Sequence, residues 1–279
     1  MGDVANNGTL AFNRNDTSTF AGMISGTGSV RQDGTGTTVL TAANSYSGGT
    51  TISAGVLQLG NGGTTGSIQG DIVNNSVLAF NRSDILTVPS AISGTGSVRQ
   101  EGTGTTVLTA ANTYSGPTAV NSGTLRAGGV TVFSAASQTT VASAGTLDLD
   151  GFDQVLAGLS NAGAVRLSAT ANTALTVAGN YVGRGGTIRL SSVLGGDGSA
   201  FHLAPFSMQP GSRVGLIQRR HRPKVFDAFT AQIEAFAQSE VSLIRPVLPK
   251  TDDTPHPSEA APPIDFAVVE EELDSAGFL

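Results

Sequence analysis

Between Gly8 and Leu190 the apolar residues come in short alternating runs, most of them introduced by glycine. The pattern is glycine or serine, a small residue, an apolar residue, any residue, and usually a second apolar one. It occurs as "GTLAF" from Gly8, "GSVRQ" from Gly28, "GVLQL" from Gly55, "SVLAF" from Ser76 and "GSVRQ" from Gly96. It goes on as "GTLRA" from Gly123, "GTLDL" from Gly145, "GAVRL" from Gly163 and "GTIRL" from Gly186. In "GTLDLD" Leu147 and Leu149 fall on one side, Asp148 and Asp150 on the other; in "GTIRL" Ile188 and Leu190 oppose Arg189. Alternation with period two predicts strands buried on one face. No apolar stripe with a helical period is present before residue 200, which excludes leucine-rich and helical repeats.

The intervals between successive motifs are 20, 27, 21, 20, 27, 22, 18 and 23 residues, averaging about 22. A period in this range is the mark of a solenoid. Coils of two or three short strands predict an all-β parallel β-helix, and nine of them stacked at about 4.8 Å give a rod of roughly 40–50 Å. A larger unit is superimposed on this period. Residues 24–48 and 92–116 agree at 23 of 25 positions, differing only at Asp33/Glu101 and Ser45/Thr113, and "GDVANNGTLAFNR" and "GDIVNNSVLAFNR" keep the same offset of 68. In the shared phrase "GTGTTVLTAANTYSG", Leu108 and Ala110 are expected in the interior and Val107 and Thr109 outside. Asn112 and Tyr114 are expected at a bend, where Asn tolerates left-handed geometry and can stack in ladders.

Composition divides the chain near Ala200. Residues 1–200 hold 34 of the 37 glycines, no lysine and no histidine, whereas 201–279 hold nine of the 11 prolines, all three histidines and both lysines. The domain reading is therefore β-helical repeats over 1–200, a helical tail over 201–245, and a Pro-rich, acidic, disordered tail over 246–279. Pro223, Phe226, Phe229, Ile233 and Phe236 sit at helical spacing within 223–245, an amphipathic helix expected to pack on the end of the solenoid. The net charge of −6 argues against nucleic acid as a partner, and the cluster Arg219, Arg220, His221, Arg222 and Lys224 reads as a solvated charge run. Zero cysteines exclude a disulfide framework, and no apolar run is long enough to predict a transmembrane helix. The opening "MGDVANNGTLAF" has neither a basic nor an apolar leader region, so no signal peptide is predicted.

"GTGTTVLTAANTYSGPTAVNSGTLRAG" and "GTGTTVLTAANSYSGGTTISAGVLQLG" resemble the passenger-associated strand repeat of bacterial autotransporters, the type V secretion proteins. "AGTLDLDGFDQVLAGLSNAG" is similar to passenger sequence, and "GNYVGRGGTIRLSSVLGGDGS", over 179–199, resembles the start of a pertactin-like autochaperone segment. The resemblance implies a right-handed β-helix at the cell surface, outer membrane or secreted from a Gram-negative bacterium. It also implies contact with a host-cell or extracellular-matrix surface, or self-association. Family members end in an outer-membrane barrel, whereas this chain turns after "LGGDGSA" to "FHLAPFSMQPGSRVGLIQRRHRPK". That change predicts a truncated or frameshifted passenger fragment.

Candidate chemistry is sparse. Asp148, Asp150 and Asp153 in "DLDGFD" are the one cluster suited to a hard cation. Their spacing matches neither an EF-hand loop nor a calcium-binding nonapeptide, and outward, solvated carboxylates are expected. Polysaccharide lyases and hydrolases need paired carboxylates or a Lys/Arg base on one face, but Glu101 is the single glutamate before residue 200. The sequence contains no nucleophile elbow, P-loop or dinucleotide fingerprint. The reading is a non-enzymatic adhesion scaffold with no catalytic residues and no cofactor; a carbohydrate-active β-helix enzyme and a nonfunctional remnant are the alternatives.

Overall fold

The computed structural model describes residues 2–167 and 173–190, with the backbone of three further strands at Ala200–Leu203, Phe206–Met208 and Gly215–Leu216. All strand pairing in it is parallel, between coils that stack about 20 residues apart, as the alternation requires. Each coil passes three faces. On the first face Leu10 lies opposite Val30, Val30 opposite Thr50, Thr50 opposite Ile72, and Ile72 opposite Ile92. The second face carries the longest ladder, ten strands deep from Thr17–Phe20 to Phe206–Met208. On the third, Leu86, Thr106, Leu125, Leu147, Val165 and Ile188 follow one another in register.

The interior is a stack of these inward positions. Val30, Leu40, Leu57, Leu78, Val98, Leu108, Leu125, Leu147 and Leu149 are wholly buried. Each side chain is covered above and below by its counterparts in the neighbouring coils, so burial comes from the stack rather than from one coil. Most polar inward positions have local partners, as at Gln100. The amide nitrogen of Gln100 donates to Gly102 O at 2.8 Å, and its oxygen accepts from Thr106 Oγ1 at 2.6 Å. At the corners glycine is a steric requirement: a Cβ on Gly34 or Gly102 would collide with the backbone of Arg14 or Arg82 in the coil before. Gly94, at φ +99°, also lies where L side chains are strained.

The motifs do not form one column. "SVRQ" (Ser29–Gln32) pairs with Thr50–Ile52 on the first face, while "VLQL" (Val56–Leu59) pairs with Thr37–Leu40 on the second. The 27-residue intervals are thus one coil plus one face. Residues 9–12 belong to the first face and their duplicates 77–80 to the second, so 68 residues advance the chain by three coils and one face.

The phrase itself also departs from expectation. Leu108 is interior, but Ala110 is half-buried; the other inward neighbour is Thr106, 2% exposed. Asn112, Tyr114, Gly116, Thr118 and Val120 alternate inward along an extended segment, and Tyr114 is fully buried, in the core rather than at an exposed bend. Its hydroxyl shares a 2.7 Å hydrogen bond with Thr118 Oγ1, which makes the inward placement possible. Beyond Ala200, strands 200–203, 206–208 and 215–216 pair in parallel with 174–177, 181–183 and 189–190. The helix expected over 223–245 and the Pro-rich tail over 246–279 lie outside the described residues, as do the basic cluster at 219–224 and residues 191–199 of the autochaperone-like segment.

Candidate functional site

The outward chemistry concentrates at the corners between faces. In "FNRND" Arg14 donates to both carboxylate oxygens of Asp16 at 2.7 Å, and one coil on Arg31 pairs with Asp33 at 3.0 Å. With Asn13, Asn15 and Thr35 these residues line an open, polar recess of about 520 Å³. The hydrogen bond from Arg14 holds the Asp16 carboxyl below its ordinary range, and Arg82 does the same to Asp84 in the second unit. Arg82 also donates to the carbonyls of Thr64 and Gly66, pinning the 60–66 loop of the preceding coil.

Asp3, Asp71 and Glu101 have structural partners as well. Asp3 Oδ1 accepts from the backbone N–H of Met23 and Asp71 Oδ1 from that of Ala91, each one coil away. Glu101 accepts from Asn121 Nδ2 at 3.0 Å.

The three aspartates of "DLDGFD" are used separately. Asp148 lies under Arg126 at 3.1 Å and is only 7% exposed, so it is covered rather than solvated. Its other oxygen accepts the backbone N–H of Asp150, which sits at φ +45°. Asp153 is exposed and accepts the N–H of Ala174 in the next coil at 2.7 Å. Among the described residues no three His, Asp or Glu converge as metal ligands.

Two sets of asparagines organise the backbone around these corners. Asn44 and Asn112 each accept an N–H from the coil before (Ile24 at 2.9 Å, Ile92 at 2.8 Å) and donate to a carbonyl of the coil after (Ser67 at 2.9 Å, Val132 at 2.6 Å). They bridge rungs through backbone groups rather than by stacking side chain on side chain as the sequence led us to expect. Sequence reasoning passed over the second set. Asn6, Asn74 and Asn161 each donate to the carbonyl of a residue in the next coil (Ser29, Ser97, Thr187) and accept the N–H two residues on. Their signal is the tripeptide Asn-x-Gly or Asn-x-Ser just before a strand motif.

Outside the corners the second face is smooth. Thr19, Val39, Gln58, Ala79, Arg99, Ala119, Thr140 and Ser160 form one column in register, in which Val39 and Ala79 are buried and the others are half-buried or exposed. Hydroxyl, amide and small apolar groups dominate it, with one guanidinium.

The passenger-associated-transport-repeat family matches residues 30–59 and 98–127, which are the two copies of the phrase with the coil that follows each. Over 53 residues, 19% of the chain, it is 58% identical to the adhesin BmaC autotransporter of Brucella suis biovar 1 (strain 1330). Over 132 residues, 46% of the chain, it is 32% identical to the uncharacterized protein YuaQ of Escherichia coli (strain K12). These matches span 2% and 10% of the two relatives' own lengths. No solved structure matches the chain. The chain thus carries two passenger-associated-transport repeats, each laid out as stacked parallel coils, and is similar over part of its length to an autotransporter adhesin.

Proposed function

We propose that this chain is a non-enzymatic adhesion and display scaffold of a bacterial surface, a passenger fragment that contacts host-cell or extracellular-matrix surfaces. The observation that carries this reading is how the carboxylates are used. Asp16, Asp33, Asp84 and Asp148 are tied to arginines, and Asp3, Asp71 and Asp153 accept backbone N–H groups of the following coil. A glycan lyase or hydrolase needs acid and base groups free to face substrate; these hold corners and coils together. The remaining outward surface, rich in threonine, serine and amide groups, suits many weak polar contacts along a rod. The similarity of 53 residues to an autotransporter adhesin supports the same reading. The change in composition past Ala200 supports truncation or frameshift of a longer passenger, and sequencing the locus on both sides of the chain tests it.

The functional test is to present the purified chain on beads to cultured epithelial cells and to immobilised extracellular-matrix protein, and to incubate it with uronate and neutral polysaccharides. Adhesion above that of bare beads, with no new reducing ends or unsaturated products, is the expected result. Depolymerisation of any of the glycans would replace the adhesin reading with the enzymatic one.

A further inference from the structure

We infer that the 68-residue unit is an exchangeable cassette, whose gain or loss leaves the stacking register intact and turns the rest of the solenoid by one face. The first observation is that one phrase occupies two different faces with the same burial. Val30, Gln32, Thr38 and Leu40 run from the first face to the second; their duplicates Val98, Gln100, Thr106 and Leu108 run from the second to the third. In both sets the exposures are 0, 1, 2 and 0%. The three faces therefore offer equivalent seats to the same inward side chains.

The second observation is that the exit from each phrase is made identically. Val30 N–H bonds Gly49 O at 3.1 Å and Val98 N–H bonds Pro117 O at 3.0 Å. Val30 lies opposite Thr50 as Val98 lies opposite Thr118, and Thr37 opposite Val56 as Thr105 lies opposite Thr124. Tyr46 meets Thr50 and Tyr114 meets Thr118, both at 2.7 Å. Removing residues 49–116 would join Gly48 to Pro117, a junction the chain already makes between Gly116 and Pro117, and would seat residues 118–127 on the coil of the first phrase.

The consequence concerns presentation. Arg31 and Asp33, joined at 3.0 Å, and their counterparts Arg99 and Glu101, where Glu101 accepts from Asn121 instead, stand at neighbouring corners. Each added cassette shows that surface from a new side, three coils further along, so three cassettes display it around the whole rod. Cassette number sets both the length of the solenoid and the direction in which everything after it faces.

The chain has no cysteine, so paired spin labels can be placed at will. In the intact chain Thr19 and Ser160 share the second face, seven rungs apart, and T19C/S160C should read about 34 Å along the stack. In the chain lacking residues 49–116, Ser160 should move to the first face, four rungs from Ala11. The A11C/S160C distance should then be the shorter of the two, about 19 Å along the stack. In the deletion variant, a T19C/S160C distance shorter than the A11C/S160C distance would mean no turn, and would overturn the inference. A second variant, with residues 49–116 duplicated in tandem, should keep the circular-dichroism signal per residue and lengthen the T19C/S160C distance. Loss of β-structure in both variants would equally overturn it, because intact registers at the seam are what the inference asserts.

Discussion

The phrase "LAFNR" occurs at residues 10–14 and again at 78–82, and the two copies live differently. Leu78 and Phe80 are wholly buried, in register with Leu57 and Leu59 of the preceding coil. Leu10 and Phe12 are half-buried, and Phe12 makes an edge contact with Phe20 at 5.6 Å between ring centres. Arg82, its side chain 12% exposed, reaches the carbonyls of the 60–66 loop; Arg14, 59% exposed, holds Asp16 alone. The alternation of apolar side chains is the same in both. What differs is the coil beneath, so in this solenoid a residue's stability belongs to the interface between coils.

Truncation of the shared leucine should give the widest split. Leu78→Ala removes a side chain packed from both sides and should cost about 2–5 kcal/mol; Leu10→Ala should cost about 1 kcal/mol, in proportion to its partial burial. Urea denaturation midpoints of the two variants measure the difference, and equal shifts would break the comparison.

The two buried tyrosines sharpen it. Thr118 touches Ser137 at 2.8 Å as well as Tyr114, whereas the Thr50 hydroxyl bonds Tyr46 at 2.7 Å. Tyr46→Phe should therefore destabilise by about 1–3 kcal/mol, for want of a partner at a buried hydroxyl, and Tyr114→Phe by less. Burial pushes both phenols up to about 12, the hydrogen bonds to Thr50 and Thr118 opposing it in part. Since the folded value lies above the ordinary 10, the native state holds these protons longer than the unfolded chain. Stability is then full below pH 10 and falls as pH rises from about 10 to about 12. Tyrosinate absorbance rising together with loss of β-structure would verify this; ionisation near pH 10 in the folded protein would refute it.

A smaller contrast lies in the inward glutamines. Gln100 accepts from Thr106, but Gln32 Oε1 is buried with no hydrogen-bond partner among the described residues, although Thr38 occupies the matching position. Thr106→Val should cost about 1 kcal/mol and Thr38→Val less, read from thermal midpoints. The smallest global effect is expected at the arginines. Arg82→Ala should free the 60–66 loop and raise its protease cleavage several-fold, while Arg14→Ala leaves the cleavage pattern unchanged.

The fold was legible because period-two alternation marks the inward side chains: Leu147 and Leu149 are both wholly buried. The assignment of motifs to faces was not, since one phrase fits any of the three and only pairing between coils distinguishes a 20-residue step from a 27-residue one. Asp148 read as solvated because the arginine that covers it is 22 residues away in sequence. Tyr114 read as a bend residue because Asn and Gly flank it, though the hydroxyl that satisfies it, Thr118, is four residues on. The repeat family was legible as a resemblance and carries no site residue with it, since the exposed members of the column from Thr19 to Ser160 are several similar polar groups.

The most direct test of the account is native-state hydrogen exchange on the 279-residue chain, amide by amide, across 9–12 and 77–80. Protection at 77–80 should approach that of the global unfolding free energy, while 9–12 should exchange through local opening at much lower cost. Equal protection of the two copies would contradict the account and place stability in the phrase itself rather than in the coil that covers it.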